Sequence, residues 1–137
     1  DTYNSIENLR GSAFNDTLTG DDSDNVLEGG AGGDSLNGGG GVDTASYQHA
    51  AAGVTANLAS PGGNTGEAAG DSYTSIENLL GSRFNDHLIG DANANVLNGF
   101  GTQGGGDILT GGLSADIFAA GWSVTITDFD QGGGHTS

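Results

Sequence analysis

The sequence predicts an all-β fold, an array of very short strands stacked coil on coil and joined by glycine-rich turns. Three observations lead there. The 137 residues include 28 glycines and a single proline, a usage that disfavours long helices. A duplication relates residues 1–30 to residues 71–100: "DTYNSIENLRGSAFNDTLTGDDSDNVLEG" returns as "DSYTSIENLLGSRFNDHLIGDANANVLNG", with nineteen of the first thirty positions identical at an offset of 70. Within each copy runs a period of nine, which no α-helix keeps on one face.

The first block starts from Gly11 as "GSAFNDTLT", "GDDSDNVLE", "GGAGGDSLN" and "GGGGVDTAS". Asp or Asn stands at the sixth position and an aliphatic residue at the eighth. The second block reads "GSRFNDHLI", "GDANANVLN", a twelve-residue "GFGTQGGGDILT" and "GGLSADIFA", so register survives the insertion. The eighth positions are Leu18, Leu27, Leu36 and Ala45, then Leu88, Leu97, Leu109 and Phe118, with Leu9 and Leu79 one unit upstream of each series. Each sits in a three-residue window between turns, which suits a short strand. Its side chain then points inward while flanks such as Thr17, Thr19, Ser35 and Asn37 face water. One coil buries a thin apolar stripe, so cohesion has to come from stacking and from the turns.

The first block is expected over residues 1–70, with nonapeptides over 11–46 and wider coils over 47–70, where Val54, Ala56 and Leu58 alternate as a strand and "SPGGNTGEAAG" reads as turn. The second is expected over 71–137, with nonapeptides over 81–119 and a capping strand over 120–131 that shields the last apolar stripe. Together they form one continuous solenoid.

Turns that reverse within six residues use the backbone angles that glycine adopts cheaply. Without side chains in the way, their carbonyls can approach a common point, and one acid per turn adds a hard anionic oxygen. Eighteen acidic residues face two basic ones, Arg10 and Arg83, for a net charge of −16. Such a chain repels itself unless a cation is supplied, and the same composition without one points to disorder. Carbonyl and carboxylate oxygens with no cysteine anywhere suit Ca²⁺, whereas Mg²⁺ holds tighter octahedra and keeps its waters. The scarcity of Lys and Arg argues against nucleic acid and anionic lipid as partners. No stretch has the apolar length of a membrane span, and "DTYNSIENLR" lacks the regions of a signal peptide.

These units resemble the RTX (repeats-in-toxin) nonapeptide GGxGxDxUx, with U a large apolar residue, a Ca²⁺-binding β-helix repeat. "GGAGGDSLN" matches every defined position, "GGGGVDTAS" departs at U, and "GSAFNDTLT" and "GSRFNDHLI" keep the first glycine, the aspartate and the leucine. The resemblance implies a right-handed parallel β-roll, two nonapeptides per coil, with Ca²⁺ in the inter-strand turns. It further implies that the earlier turn of each pair offers the second and fourth carbonyls, the later turn the first and third, and both the sixth side chain.

Carried over, Ser12, Phe14 and Asp16 face Gly29, Ala31 and Asp34, while Asp21, Ser23 and Asn25 face Gly38, Gly40 and Asp43. In the second block Ser82, Phe84 and Asp86 face Thr102, Gly104 and Asp107, and Asp91, Asn93 and Asn95 face Gly111, Leu113 and Asp116. About four ions follow. Asn25 and Asn95 lower the charge of two sites, which then hold the ion less tightly or draw on Asp22 or Asp24. Glu7 and Glu77, at the sixth position of the leader units, are candidates for a further site each. The alternative for every sixth-position acid is a turn cap through Asx hydrogen bonds.

No enzyme is expected. His49, His87 and His135 are isolated, and HExxH, GxSxG and P-loop motifs are absent. Trp122, Tyr3 and Tyr73 read as packing residues. By resemblance the chain is a calcium-binding module of a secreted bacterial protein, exported by type I secretion and folding outside the cell or at its surface when it meets Ca²⁺. Two alternatives are a Ca²⁺-dependent subunit of a fibre, adhesin or surface layer, whose copies associate end to end or laterally, and the non-catalytic part of a secreted protease, lipase or alginate epimerase.

Overall fold

A computed structural model describes residues 7–101, 106–119, 121 and 123–128. The strands there are β1 (Asn8–Arg10), β2 (Thr17–Thr19), β3 (Val26–Glu28), β4 (Ser35–Asn37), β5 (Thr44–Ser46), β6 (Thr55–Asn57), β7 (Ser72–Thr74), β8 (Asn78–Leu80), β9 (His87–Ile89), β10 (Val96–Asn98), β11 (Asp107–Thr110), β12 (Ile117–Ala119) and β13 (Val124–Asp128). No α-helix occurs among the described residues. Most strands have three residues because glycine turns close on both sides and leave one inward position each.

Consecutive strands alternate between two faces, except that β6 and β7 both lie on the second, and every pairing of these strands is parallel. One face is a six-stranded sheet in the order β1-β3-β5-β8-β10-β12, which runs through both copies of the duplication. Its register follows the repeat: Leu9 lies beside Leu27, Leu27 beside Ala45, Ala45 beside Leu79, Leu79 beside Leu97 and Leu97 beside Phe118. On the other face Leu18, Leu36 and Tyr73 align, as do Ala56, Leu88, Leu109 and Ile126. Leu27, Leu36, Ala45, Ala56, Leu79, Leu88, Leu97 and Leu109 are each at most 1% exposed. The eighth position of the repeat is therefore the core, one side chain deep per face.

The second face is divided into β2-β4-β7 and β13-β11-β9-β6. The division comes from the wide coil between β5 and β8. From β5 the chain runs to β6, which pairs with β9, then through 3₁₀ turns at Pro61–Gly63 and Gly66–Ala68 to β7, which pairs with the earlier β4. It steps forward one level and back again. Val54 and Ala56 are buried around β6, and Leu58 packs partly against the core. At the far end β13 pairs with β11, with a register shift between Leu109 and Thr110. Phe129, Tyr3, Trp122 and His135 lie outside the described residues.

Candidate metal centres

Turns 11–16, 29–34, 81–86 and 99–106 carry the chain from the six-stranded face to the other, and turns 20–25, 38–43, 75–77, 90–95 and 111–116 carry it back. Parallel pairing stacks turns of one kind above each other. Each stacked pair forms a gap, named here by its two sixth-position residues.

The sixth-position side chains form a ladder. Oδ1 of Asp34 accepts the main-chain N–H of Asp16 at 2.8 Å, Oδ1 of Asp43 that of Asn25 at 2.8 Å, Oδ1 of Asp107 that of Asp86 at 3.0 Å, and Oδ1 of Asp116 that of Asn95 at 2.9 Å. All four pairs proposed from sequence are thus brought together. The capping alternative is also realised: Oδ2 of Asp16 and of Asp86 accept the N–H of Ser12 and of Ser82, each at 2.6 Å. Asn25 and Asn95 accept the N–H of Asp21 and Asp91 through their amide oxygens, at 2.9 and 2.8 Å.

Hydrogen bonds do not satisfy every oxygen. Oδ2 of Asp34 and Oδ2 of Asp43 are buried and accept nothing, an expensive arrangement for carboxylates unless a cation stands beside them. The glycines mark further places where oxygens converge. A Cβ on Gly11 would collide with the Gly29 carbonyl oxygen and lie 2.7 Å from Asp16 Oδ2. The same convergence recurs at Gly20, with the Asn25 amide oxygen and the Gly38 carbonyl, and at Gly90, with the Asn95 amide oxygen and the Gly111 carbonyl. At Gly81 the oxygens are Asp86 Oδ2 and, 3.0 Å away, the Gly99 carbonyl. In each gap the sixth side chain of one turn and the first carbonyl of the next aim at one spot that any side chain would fill.

The second and fourth carbonyls are placed less uniformly. Those of Ser12 and Phe14 lie against Gly30 and Gly32 of the overlying turn, and the main chain of Ser23 lies against Gly41. The Asp21 carbonyl instead accepts the N–H of Gly40 at 2.9 Å, and the Asp91 carbonyl that of Leu113 at 3.3 Å. Asn93 donates its N–H to Asp91 Oδ1 at 2.8 Å. Ala31 and Leu113 are exposed, and the Phe84 ring carries the Arg83 guanidinium 5.5 Å above its centre. Thr102 and Gly104 lie outside the described residues. Among the described residues no three acidic or histidine side chains converge, so the oxygen sets are largely main-chain.

Electrostatics favour a cation beside these oxygens. Burial pushes the carboxyls of Asp34, Asp43, Asp86 and Asp107 above the ordinary 3.8, and neighbouring acids add to the shift: Asp16 for Asp34, Glu77 for Asp43 and Asp107 for Asp86. A cation beside any of these carboxylates would oppose that shift. His49 binds Glu28 at 2.9 Å on the exposed surface, and the isolated reading of that residue is corrected to this extent.

Sequence reasoning missed Asp71. It is 3% exposed, accepts the Asp34 N–H at 2.8 Å through Oδ1 and the Tyr47 hydroxyl at 2.7 Å through Oδ2. Burial lifts its carboxyl to about 6. The Tyr47 hydroxyl is also hydrogen-bonded to the Tyr73 hydroxyl, which accepts from the Asn64 amide at 3.0 Å. Tyr73 is more than a packing residue, since its ring takes an eighth position while its hydroxyl closes this network. The signal was present as "DSY" over 71–73, which has the spacing of Asp34, Ser35 and Leu36.

A parallel β-solenoid with oxygen-only clefts in its stacked turns is a repeat module built to hold hard divalent cations. The profile of the RTX calcium-binding nonapeptide repeat matches residues 5–45, 73–99 and 102–123, in four copies, and the chain belongs to that family. The family implies Ca²⁺ as the ion. A comparison with curated proteins found no significant match. The segment between Ala45 and Tyr73, which holds the wide coil and Asp71, falls outside the matched residues.

Proposed function

We propose that this chain is a calcium-gated folding module whose ions occupy the Asp16/Asp34, Asn25/Asp43, Asp86/Asp107 and Asn95/Asp116 gaps. The observation that carries the reading is the convergence of a sixth-position side-chain oxygen and the first carbonyl of the next turn at Gly11, Gly20, Gly81 and Gly90, where no Cβ can be admitted. In these gaps the chain supplies first carbonyls from Gly29, Gly38, Gly99 and Gly111 and one or two carboxylates. When bound, the ion neutralises those oxygens. The two gaps with asparagine carry one charge fewer and bind more weakly, because ligand charge tunes such affinities.

A chain of net charge −16 with a core one side chain deep folds poorly by itself. Binding confined to the folded form then makes folding follow free Ca²⁺ by mass action. Extracellular calcium modules have dissociation constants of about 10⁻⁴ to 10⁻³ M, which keeps the chain expanded inside a cell and folds it outside. This fits a secreted or cell-surface bacterial protein exported before it folds. The test is calorimetric titration with Ca²⁺ together with far-ultraviolet circular dichroism. Coil-to-β conversion at millimolar Ca²⁺ with several ions bound is expected; an identical spectrum in chelator and in Ca²⁺ would refute the proposal.

A further inference from the structure

The convergence of oxygens that marks the four gaps occurs at a fifth place. A Cβ on Gly38 would collide with Asp43 Oδ2 and with the carbonyl oxygen of Ser75. Asp43 is fully buried, and this Oδ2 is one of the two that accept no hydrogen bond. Two acceptor oxygens therefore face each other across a small space with no donor between them.

Ser75 begins an unusual turn. Only Ser75, Ile76 and Glu77 separate β7 from β8, against six residues in a regular turn. Three positions are deleted, and Ser75 takes a φ of 50°, a left-handed conformation that serine rarely adopts. The strained angle belongs to the residue whose carbonyl must stand over Gly38. Glu77 then fills the sixth-position role with a longer side chain: its Oε2 accepts the Asp43 N–H at 2.8 Å, as Asp34 does for Asp16.

We infer that Asp43, Glu77 and the Ser75 carbonyl form a further divalent-cation site, one that draws its ligands from both copies of the duplication and ties them together. It rests on the calcium reading above. Its charge of two carboxylates exceeds that of the Asn25/Asp43 gap below it, so it is the stronger of the two on this edge. The opposite edge is joined differently. Where turn 29–34 meets turn 66–71, the Gly66 and Ala68 carbonyls accept the N–H groups of Ala69 and Asp71, both at 3.1 Å, and Asp71 Oδ2 is taken by Tyr47. On that edge Asp71 is thus held by Tyr47 and by the Asp34 N–H, while Asp34 Oδ2 accepts no hydrogen bond.

The test uses the full chain and its Glu77→Gln variant, which keeps an oxygen for the Asp43 N–H but removes the charge. Calorimetry with Ca²⁺ is expected to show one ion fewer for the variant, while Glu67→Gln, at a half-buried position on the Gly66–Ala68 3₁₀ turn, binds as many as the parent. Equal stoichiometry and affinity in parent and Glu77→Gln overturn the inference but leave the calcium reading intact; a parent that binds no Ca²⁺ removes both. Should Glu77→Gln fail to fold, a crystal of the parent soaked with Tb³⁺ decides. Anomalous density about 2.3–2.6 Å from the Ser75 carbonyl oxygen supports the site, and its absence beside filled turns elsewhere overturns it.

Discussion

Replacing Asp34 by asparagine should change stability with opposite sign in the presence and absence of calcium. Asp34 is 1% exposed, its Oδ1 holds the Asp16 N–H, and its Oδ2 has no partner. Asparagine retains the acceptor toward Asp16 and replaces the orphaned anionic oxygen by an amide that donates. Without metal, removing a buried unpaired acceptor relieves a penalty of about 1–3 kcal/mol. With metal, the Asp16/Asp34 gap loses half its charge. If the site is lost altogether at free Ca²⁺ about 100-fold above its dissociation constant, the folded state forfeits about 2.7 kcal/mol. Urea unfolding followed by circular dichroism reads the saturated state, where Asp34→Asn is expected to lower the midpoint with little change in slope. In chelator the β signal of the variant should equal or exceed that of the parent. A loss of equal size under both conditions would show that Asp34 acts as an ordinary turn cap, and the argument from unpartnered oxygens would fail.

Three further outcomes follow from the same geometry. Gly38→Ala forces a Cβ onto Ser75 and Asp43 oxygens, whereas a Cβ on Gly62 meets nothing within 4 Å; thermal melts in Ca²⁺ should show a loss of at least about 1–3 kcal/mol for the first and a change within about 0.5 kcal/mol for the second. Tyr47→Phe leaves Asp71 Oδ2 unpaired and should cost about 1–3 kcal/mol in a thermal melt. Finally, because burial raises the buried aspartates above 3.8 and Asp71 to about 6, the folded chain holds more protons than the unfolded one. Its metal-free stability is therefore greatest below about pH 4 and falls as pH rises through about 6, while the Ca²⁺ midpoint moves to higher concentration in acid because ligands must lose protons. Circular dichroism of the metal-free chain against pH checks the first half: a β signal that grows as pH rises from 4 to 7 would contradict it.

The nonapeptide core was legible because each of its features has a local cause. A residue between two glycine turns can face inward in only one way, so Leu27, Leu36, Leu88 and Leu97 are core residues by position alone, and the sixth-position acids follow two residues before them. The four pairs Asp16 with Asp34, Asn25 with Asp43, Asp86 with Asp107 and Asn95 with Asp116 came from the resemblance to the nonapeptide family, which implies two units per coil and so stacks every second turn. Even the insertion before Asp107 left its register readable, because the three residues "DIL" over 107–109 fix the strand whatever the turn length.

The wide coil was not legible in this way. That β6 joins the later sheet while β7 returns to the earlier one depends on which edges are unpaired once the regular coils have stacked, a property of no local stretch. The role of Asp71 rests on a network with Tyr47, Tyr73 and Asn64 that joins residues up to 26 positions apart. The choice of which carboxylate oxygens find an N–H and which are left for a cation likewise belongs to the stacked turns. Sequence by itself determined the repeat, the strand positions, the inward residues and the oxygen chemistry, because these follow from backbone freedom and alternation within nine residues. Tertiary structure alone decided the crossed path of the central coil, the hydrogen-bonded network at Asp71 and the facing of Ser75 with Asp43, because each depends on distances between turns that covalent order does not set.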